Sequence, residues 1–359
     1  LTAPPTLEYF FCFVARAIQT RLNSVPKKHQ RYYGCEYYGR PSASVMFQMA
    51  TQVGHVTVDM VWANIVGYTD HLLHYKISAA AYAAQVPALE RHVTEYSSTS
   101  SSSSGGGGGG GGGGFRFDAQ RATSAIDVDP SDVRLVLYRH WTLYDSLLNS
   151  PYVASHMGMR RSTASNDYQD QVRRFLAYLG IPLADAQQSY SCMPARYKDA
   201  FKSHDINHAR RFHVPELRYT SFSRQLNSTL RLSAADLVHA LAGLLETGGT
   251  SSTTTTLASA QSGFWSAYQV LSNAAGSETT GLLLAGIDAA KQQQLLLMRQ
   301  AQLMFDKKSV VSGAPFRYAL ITDCPTALVA SQPIVRLVSF GCCLFFFFFF
   351  FFFFFFFFF

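Results

Sequence analysis

The densest chemistry in this sequence is His204-Asp205-Ile206-Asn207-His208, two histidines one helical turn apart with a carboxylate directly after the first. On a helix this spacing sets both imidazoles on one face, where they can hold zinc while the acid acts on a metal-bound water. That acid has to reach the water, which calls for Glu. Asp is one methylene short, and only His213 follows closely as a third ligand. The segment therefore reads as a polar turn after a helix through Tyr197 and Phe201. Gly105 to Gly114 lacks the Gly-Lys-Ser/Thr ending and the preceding buried strand of a phosphate cradle, and reads as linker. No Gly-x-Ser-x-Gly elbow occurs. Cys12, Cys35, Cys192, Cys324, Cys342 and Cys343 are widely and irregularly spaced with no Cys-x-x-Cys, as in a reducing compartment. These residues point to no catalytic group and to no cofactor.

The aromatic groups Tyr32, Tyr33, Tyr37, Tyr38 and Tyr138, Trp141, Tyr144 have two readings. They could stack on unpaired bases, or, at helical spacing, pack in a core, and the spacing fits the core better. With 30 Lys and Arg against 23 Asp and Glu, the chain carries a formal charge of +7, which permits an acidic partner. The pairs Arg160/Arg161, Arg173/Arg174, Arg210/Arg211 and Lys307/Lys308 are too scattered to make one phosphate-binding stripe.

Across 359 residues, 48% hydrophobic composition excludes general disorder and allows two cores. Two stretches of low complexity, Ser97 to Gly114 and Thr250 to Gly263, read as flexible loops. In the first segment Val45, Met46, Met49 and Val53 mark one helix. Val58, Val61, Trp62, Ile65 and Val66 mark a second that Gly67 should end, with Thr69 and Asp70 capping a short third through Leu72, Leu73 and Tyr75. The middle segment reads as almost wholly helical. It starts with Val133, Leu137, Trp141, Tyr144 and Leu148, continues with Tyr168 to Leu179 closed by Gly180, and ends with a helix opened by Ser233 and Asp236. In the third segment, Leu283, Ile287, Ala290, Leu297, Ala301 and Met304 follow one long helix. Strand signals come next at Val310–Val311, Phe316–Ile321 and Ala327–Ala330.

The chain opens at Leu1 with no basic signal-peptide region and reads as beginning inside a longer protein. Its uncharged end, Leu337 to Phe359, is long enough to span a bilayer but lacks the mixed composition and flanking anchors of a span. A translated nucleotide repeat is the better reading, with no membrane contact.

Several stretches, in order, resemble one family: Glu36-Tyr37-Tyr38-Gly39 with Ser44 to Phe47, Trp62 with Ile65 to Asp70, and Leu89 to Val93. Arg134 to Leu147, Phe175 to Leu183, and Leu232 to Val238 continue the match. Over roughly residues 31 to 322 the chain is similar to the cell division control protein 45 family, which is related in fold to the RecJ-like DHH phosphoesterases. The resemblance implies an α/β fold with a large helical insertion. Residues 1–96 are the C-terminal part of a DHH-like α/β domain, 97–125 a Ser/Gly-rich linker, 126–249 an all-α insertion, and 250–263 a second linker. The start of a small DHHA1-like α/β domain takes 264–333, and 334–359 are the Phe tail. It also implies a nuclear, non-catalytic subunit of the replicative helicase, joined to the MCM hexamer and GINS, with replicative DNA polymerase and single-stranded DNA as further contacts. An active metal-dependent exonuclease is the alternative. Asp70 falls where active relatives have one metal-binding Asp, and a lone carboxylate holds no two-metal site, so Asp70 is at most a remnant. Tyr138, His140, Trp141 and Tyr144 lie in the stretch expected to meet a partner. With the α/β domain halved, apolar edges are expected to stay uncovered.

Overall fold

The computed structural model describes residues 38–102, 126–157, 165–203, 211–214, 217–225, 231–247, 256–272, 277–307, 310–313 and 316–319. Helix α1, Ser42–Val53, opens where the Pro41 carbonyl accepts from the Ser44 and Val45 amides at 2.9 and 3.2 Å. It closes at Gly54, whose φ of 77° is a left-handed turn that glycine takes at little cost. Val45, Met46, Met49 and Val53 do mark this helix, but as its outer side, since they are 44%, 63%, 53% and 77% exposed. The inner side is small, with Ser44 buried, and only Phe47 enters the core, its ring 5.0 Å from His92.

The small inner side is explained by Gly67. Helix α2, Val58–Leu73, runs unbroken through Gly67, Thr69 and Asp70, so the expected stop and the separate third helix do not occur. A Cβ at Gly67 would lie 2.8 Å from that of Ala43, so its missing side chain lets two helices approach closely. Thr69 caps nothing; its hydroxyl donates back to the Ile65 carbonyl at 2.9 Å. Helix α3, Ala79–Ser102, turns Tyr82, Val86, Leu89 and Val93 inward, and its backbone extends into the serine run expected to be a loop.

The middle segment is not all helix. Strands β1 (Ile126–Val133), β2 (Arg218–Gln225) and β3 (Arg231–Ser233) form an antiparallel sheet in the order β1-β2-β3, with Val128 opposite Phe222 and a register shift between Asp129 and Asp132. Pro130 has no amide to give to a ladder, and the shift falls around it. The helix expected from Val133 through Leu148 is replaced by the end of β1, a left-handed residue at Leu137 (φ 48°), and a 3-10 turn over Tyr138–His140. Helix α4 follows at Leu143–Asn149, capped by Thr142. The 4-4-3-4 apolar spacing misled because Leu135, Val136 and Leu137 are buried consecutively, a burial no one-sided helix requires.

Helices α5 (Pro151–His156), α6 (Ser165–Tyr178), α7 (Leu183–Ala186) and α8 (Ala195–Ser203) complete the helical group. Gly180, at φ 69°, closes α6 as expected, its amide reaching Ala177 while the Ile181 amide reaches Leu176. Helix α9 is Ala234–Thr247, α10 Thr256–Ser272 and α11 Ser277–Asp306. The second low-complexity stretch is thus helical from Thr256, where Leu257, Ala258 and Ala260 interrupt the Ser/Thr bias. A hairpin of β4 (Val310–Gly313) and β5 (Phe316–Ala319) matches the strand signals there. Ala327–Ala330, the Phe tail and His204–His208 fall outside the described residues.

Two cores result. The first gathers Ile65, Leu72, Leu89, Phe222 and Leu237; the second gathers Leu143, Leu147, Val172, Phe175 and Phe201. The 30-residue α11 serves both, giving Leu283, Ile287 and Ala290 to the first and Leu297, Ala301 and Met304 to the second. Against α9 it lies almost backbone to backbone: a Cβ at Gly243 would be 2.4 Å from the Gly286 carbonyl, and one at Gly286 2.7 Å from that of Ala240. Gly243→Ala and Gly286→Ala should each destabilise by about 1–3 kcal/mol through overpacking. At Gly281, also in α11, a Cβ would meet nothing within 4 Å, and Gly281→Ala should stabilise by about 0.5–1 kcal/mol. Urea unfolding of the three variants separates these signs.

Candidate functional site

An isolated carboxylate inside a protein costs several kcal/mol, and Asp132, at the end of β1, is wholly buried. It is matched by four donors. Tyr138 Oη reaches it at 2.6 Å, the Arg139 guanidinium at 2.7 Å, the Val133 amide at 2.8 Å, and Ser221 Oγ crosses from β2. Burial pushes this carboxyl up. The Arg139 charge and the hydrogen bonds from Ser221, Tyr138 and Val133 outweigh burial and hold it below its ordinary value. The left-handed Leu137 and the 3-10 turn bring adjacent Tyr138 and Arg139 to the same acid, with the guanidinium 4.5 Å from the Tyr138 ring.

Arg139 carries the network onward. Its second nitrogen stands 3.6 Å from Asp236 Oδ2 on α9, and His140 Nε2 stands 3.9 Å from the same oxygen. Asp236 is held by the expected capping box: Ser233 Oγ donates to its carboxylate at 2.8 Å and accepts from its amide at 3.1 Å. Nearby, Arg134 donates to the Leu72 carbonyl of α2 at 2.8 Å, and its guanidinium lies between the rings of Tyr75 and Tyr152, 5.0 and 5.1 Å from their centroids. These contacts join the sheet to helices of both cores.

Asp70, on α2, is closed by its own chain. His74 Nδ1 lies 2.7 Å from one carboxylate oxygen and Lys76 Nζ 2.8 Å from the other. Burial raises this carboxyl, but His74 and Lys76 reverse that and depress it strongly. An ammonium at this distance occupies the place of a bound cation and repels another. No group of three or more His, Cys, Asp or Glu among the described residues is arranged to hold a metal, and no helix among them is long and apolar enough to cross a membrane.

Of the residues expected to meet a partner, Tyr138 and Tyr144 are buried, while His140 and Trp141 are half-buried. Tyr138 and His140 meet at the Asp132–Asp236 network; Tyr144 belongs to the second core, and Trp141 accepts the Tyr190 amide through its carbonyl at 3.0 Å. Tyr38 is 41% exposed, and Tyr32, Tyr33 and Tyr37 lie outside the described residues. Asp132, Arg134, Arg139 and Ser221 were not singled out from sequence as functional. Asp132 follows Asp127 and Asp129 in a strand whose residues 127–131 are exposed or half-buried, and no local signal separates the enclosed acid from the solvated ones.

Because its folded carboxyl is depressed, Asp70 contributes stability above its ordinary pKa of 3.8, and that contribution disappears as pH falls toward the folded value. The stability gap between the native chain and Asp70→Asn should therefore be open at pH 7 and narrow between about pH 4 and pH 2. Urea unfolding across that range measures it; a gap that widens on acidification contradicts the assignment.

The family model described as CDC45 matches residues 15–344 of this chain. The chain is 29% identical to the cell division control protein 45 homolog of Dictyostelium discoideum over 299 residues, covering 80% of this chain and 45% of that protein. It is 28% identical to the Homo sapiens homolog over 307 residues, covering 84% and 49%. It therefore spans about half the length of these curated relatives, whose names are those of a cell-division control factor and not of an enzyme. The crystal structure of CDC45 from Entamoeba histolytica superposes with a TM-score of 0.64 at 21% identity, over 85% of this chain and 55% of that one, a likeness of fold.

Proposed function

Since the chain belongs to the CDC45 family, we propose that it is part of a non-catalytic subunit of the eukaryotic replicative helicase, acting in the nucleus. The subunit joins the MCM hexamer and GINS to initiate and sustain DNA replication, with replicative polymerase and single-stranded DNA as further contacts. The DHH-like ancestry of its first domain belongs to the same proposal. The observation that carries the non-catalytic reading is Asp70: at the position where the resemblance puts a metal-binding acid, both carboxylate oxygens face bases of the same chain, at 2.7 and 2.8 Å. ATP hydrolysis falls to the MCM partner, and this chain supplies shape. A folded body with buried ion pairs and two cores suits that task, since a scaffold must hold its surfaces fixed.

Co-purification of the tagged chain with MCM and GINS, beside a manganese-dependent single-strand DNA cleavage assay, tests the proposal. Binding of both complexes with no cleavage is expected. Cleavage that is lost in Asp70→Asn would replace the scaffold by a metal-dependent exonuclease.

A further inference from the structure

A groove between the C-terminal half of α6 and α7 takes no part in the Asp132 network. It holds about 340 Å3 over a floor of Leu176, Ala177, Ile181, Pro182 and Leu183, with Arg173 at its lip. Gly180, at φ 69°, makes the bend that brings Ile181 and Leu183 beside α6. Leu183 is 38% exposed, so apolar surface faces solvent at one end.

Cations border this floor. Arg174 lies three residues before Ala177 and four before Tyr178, so it is their neighbour on the helix surface. Tyr178 is 44% exposed, and the Arg211 guanidinium lies 5.2 Å from its ring, anchored by Phe212 packing on Phe175 and Tyr178 at 5.2 and 5.8 Å. Arg173 has a carboxylate, Asp170, at 2.9 Å; Arg174 and Arg211 have none at ion-pair distance among the described residues.

We infer that this groove docks an acidic amphipathic segment of a partner protein, its aliphatic side chains entering the floor and its carboxylates meeting Arg174 and Arg211. Charge complementarity selects the occupant: Arg174 and Arg211, with no acid of their own among the described residues, lie along the Ala177–Tyr178 side of an aliphatic trough. A single strand of nucleic acid fits less well, because the floor offers neither aromatic faces for bases nor donors for their edges, and Arg211 already covers the Tyr178 ring. A second copy also fits less well, since the exposed apolar faces of α1 and α10 contain no Asp or Glu. The volume is near the small end for binding sites and suits a few side chains of a short helix. The inference rests on the scaffold reading only in taking the partner to be a protein.

The test uses the full chain and a fluorescein-labelled helical peptide of about 16 residues, with Leu at positions i, i+3 and i+7 and Glu between them, read by anisotropy. Arg174→Glu/Arg211→Glu, two exposed changes, should weaken binding about tenfold. Leu183→Asp should weaken it comparably while circular dichroism stays native, and the native chain's affinity should fall with added salt. Unchanged affinity in both variants overturns the inference. So does oligo-dT binding that the same variants abolish, which gives the groove to nucleic acid, and so does self-association that they abolish, which gives it to a second copy. Because MCM and GINS are absent from this assay, their failure to co-purify would leave the groove's result intact, and loss of peptide binding would leave theirs.

Discussion

A charge sealed away from water has to be matched where it sits, and the arrangement around Asp132 is that match. Its partners come from the strand it ends, the turn that follows, and the neighbouring strand β2, while Arg139 links it to Asp236 at the start of α9. Moving any of these elements would strand a buried ion, so the network fixes the sheet, the 3-10 turn and α9 relative to one another. Burial of apolar surface drives both cores together, but it is not directional. The ionic contacts are what select one arrangement.

Other features follow from holding two cores on one frame. Helix α11 contributes to each, and its glycine crossing with α9 brings the first core close to the segment that Asp236 opens. Gln294, between the two sets of apolar residues on α11, donates to the Asn149 carbonyl at the end of α4 at 2.8 Å. Arg134 ties the end of α2 to Tyr152 of the second core. Function, on the scaffold reading, uses this frame to keep outward surfaces such as the α6–α7 groove in fixed geometry.

Helices with one buried stripe were legible in the sequence. Leu283 through Met304 on α11, Tyr168 through Leu176 on α6 and the Ser233–Asp236 box on α9 all lie where spacing put them. The sheet was not legible, because β1 carries Asp127, Asp129 and Pro130, residues that argue for a turn, and its stability comes from pairing with a strand some 90 residues on. Gly67 misled in the other direction: local rules make glycine a stop, and only the distant Ala43 makes it a contact. The helix at α1 was legible from Val45, Met46, Met49 and Val53, but its inward face was not, because close approach to Gly67 demands small side chains there. The polar network was beyond local reading for the same reason, since Ser221 and Asp132 meet only once the sheet has formed.

Asp132 couples the two cores, and urea unfolding of Asp132→Asn measures that coupling. Two single-tryptophan versions keep either Trp62 in the first core or Trp141 just ahead of α4. If the network couples the cores, the substitution removes about 3–5 kcal/mol and both tryptophans report one shared, earlier transition. A loss under about 1 kcal/mol, or a shift seen by one tryptophan alone, would contradict it.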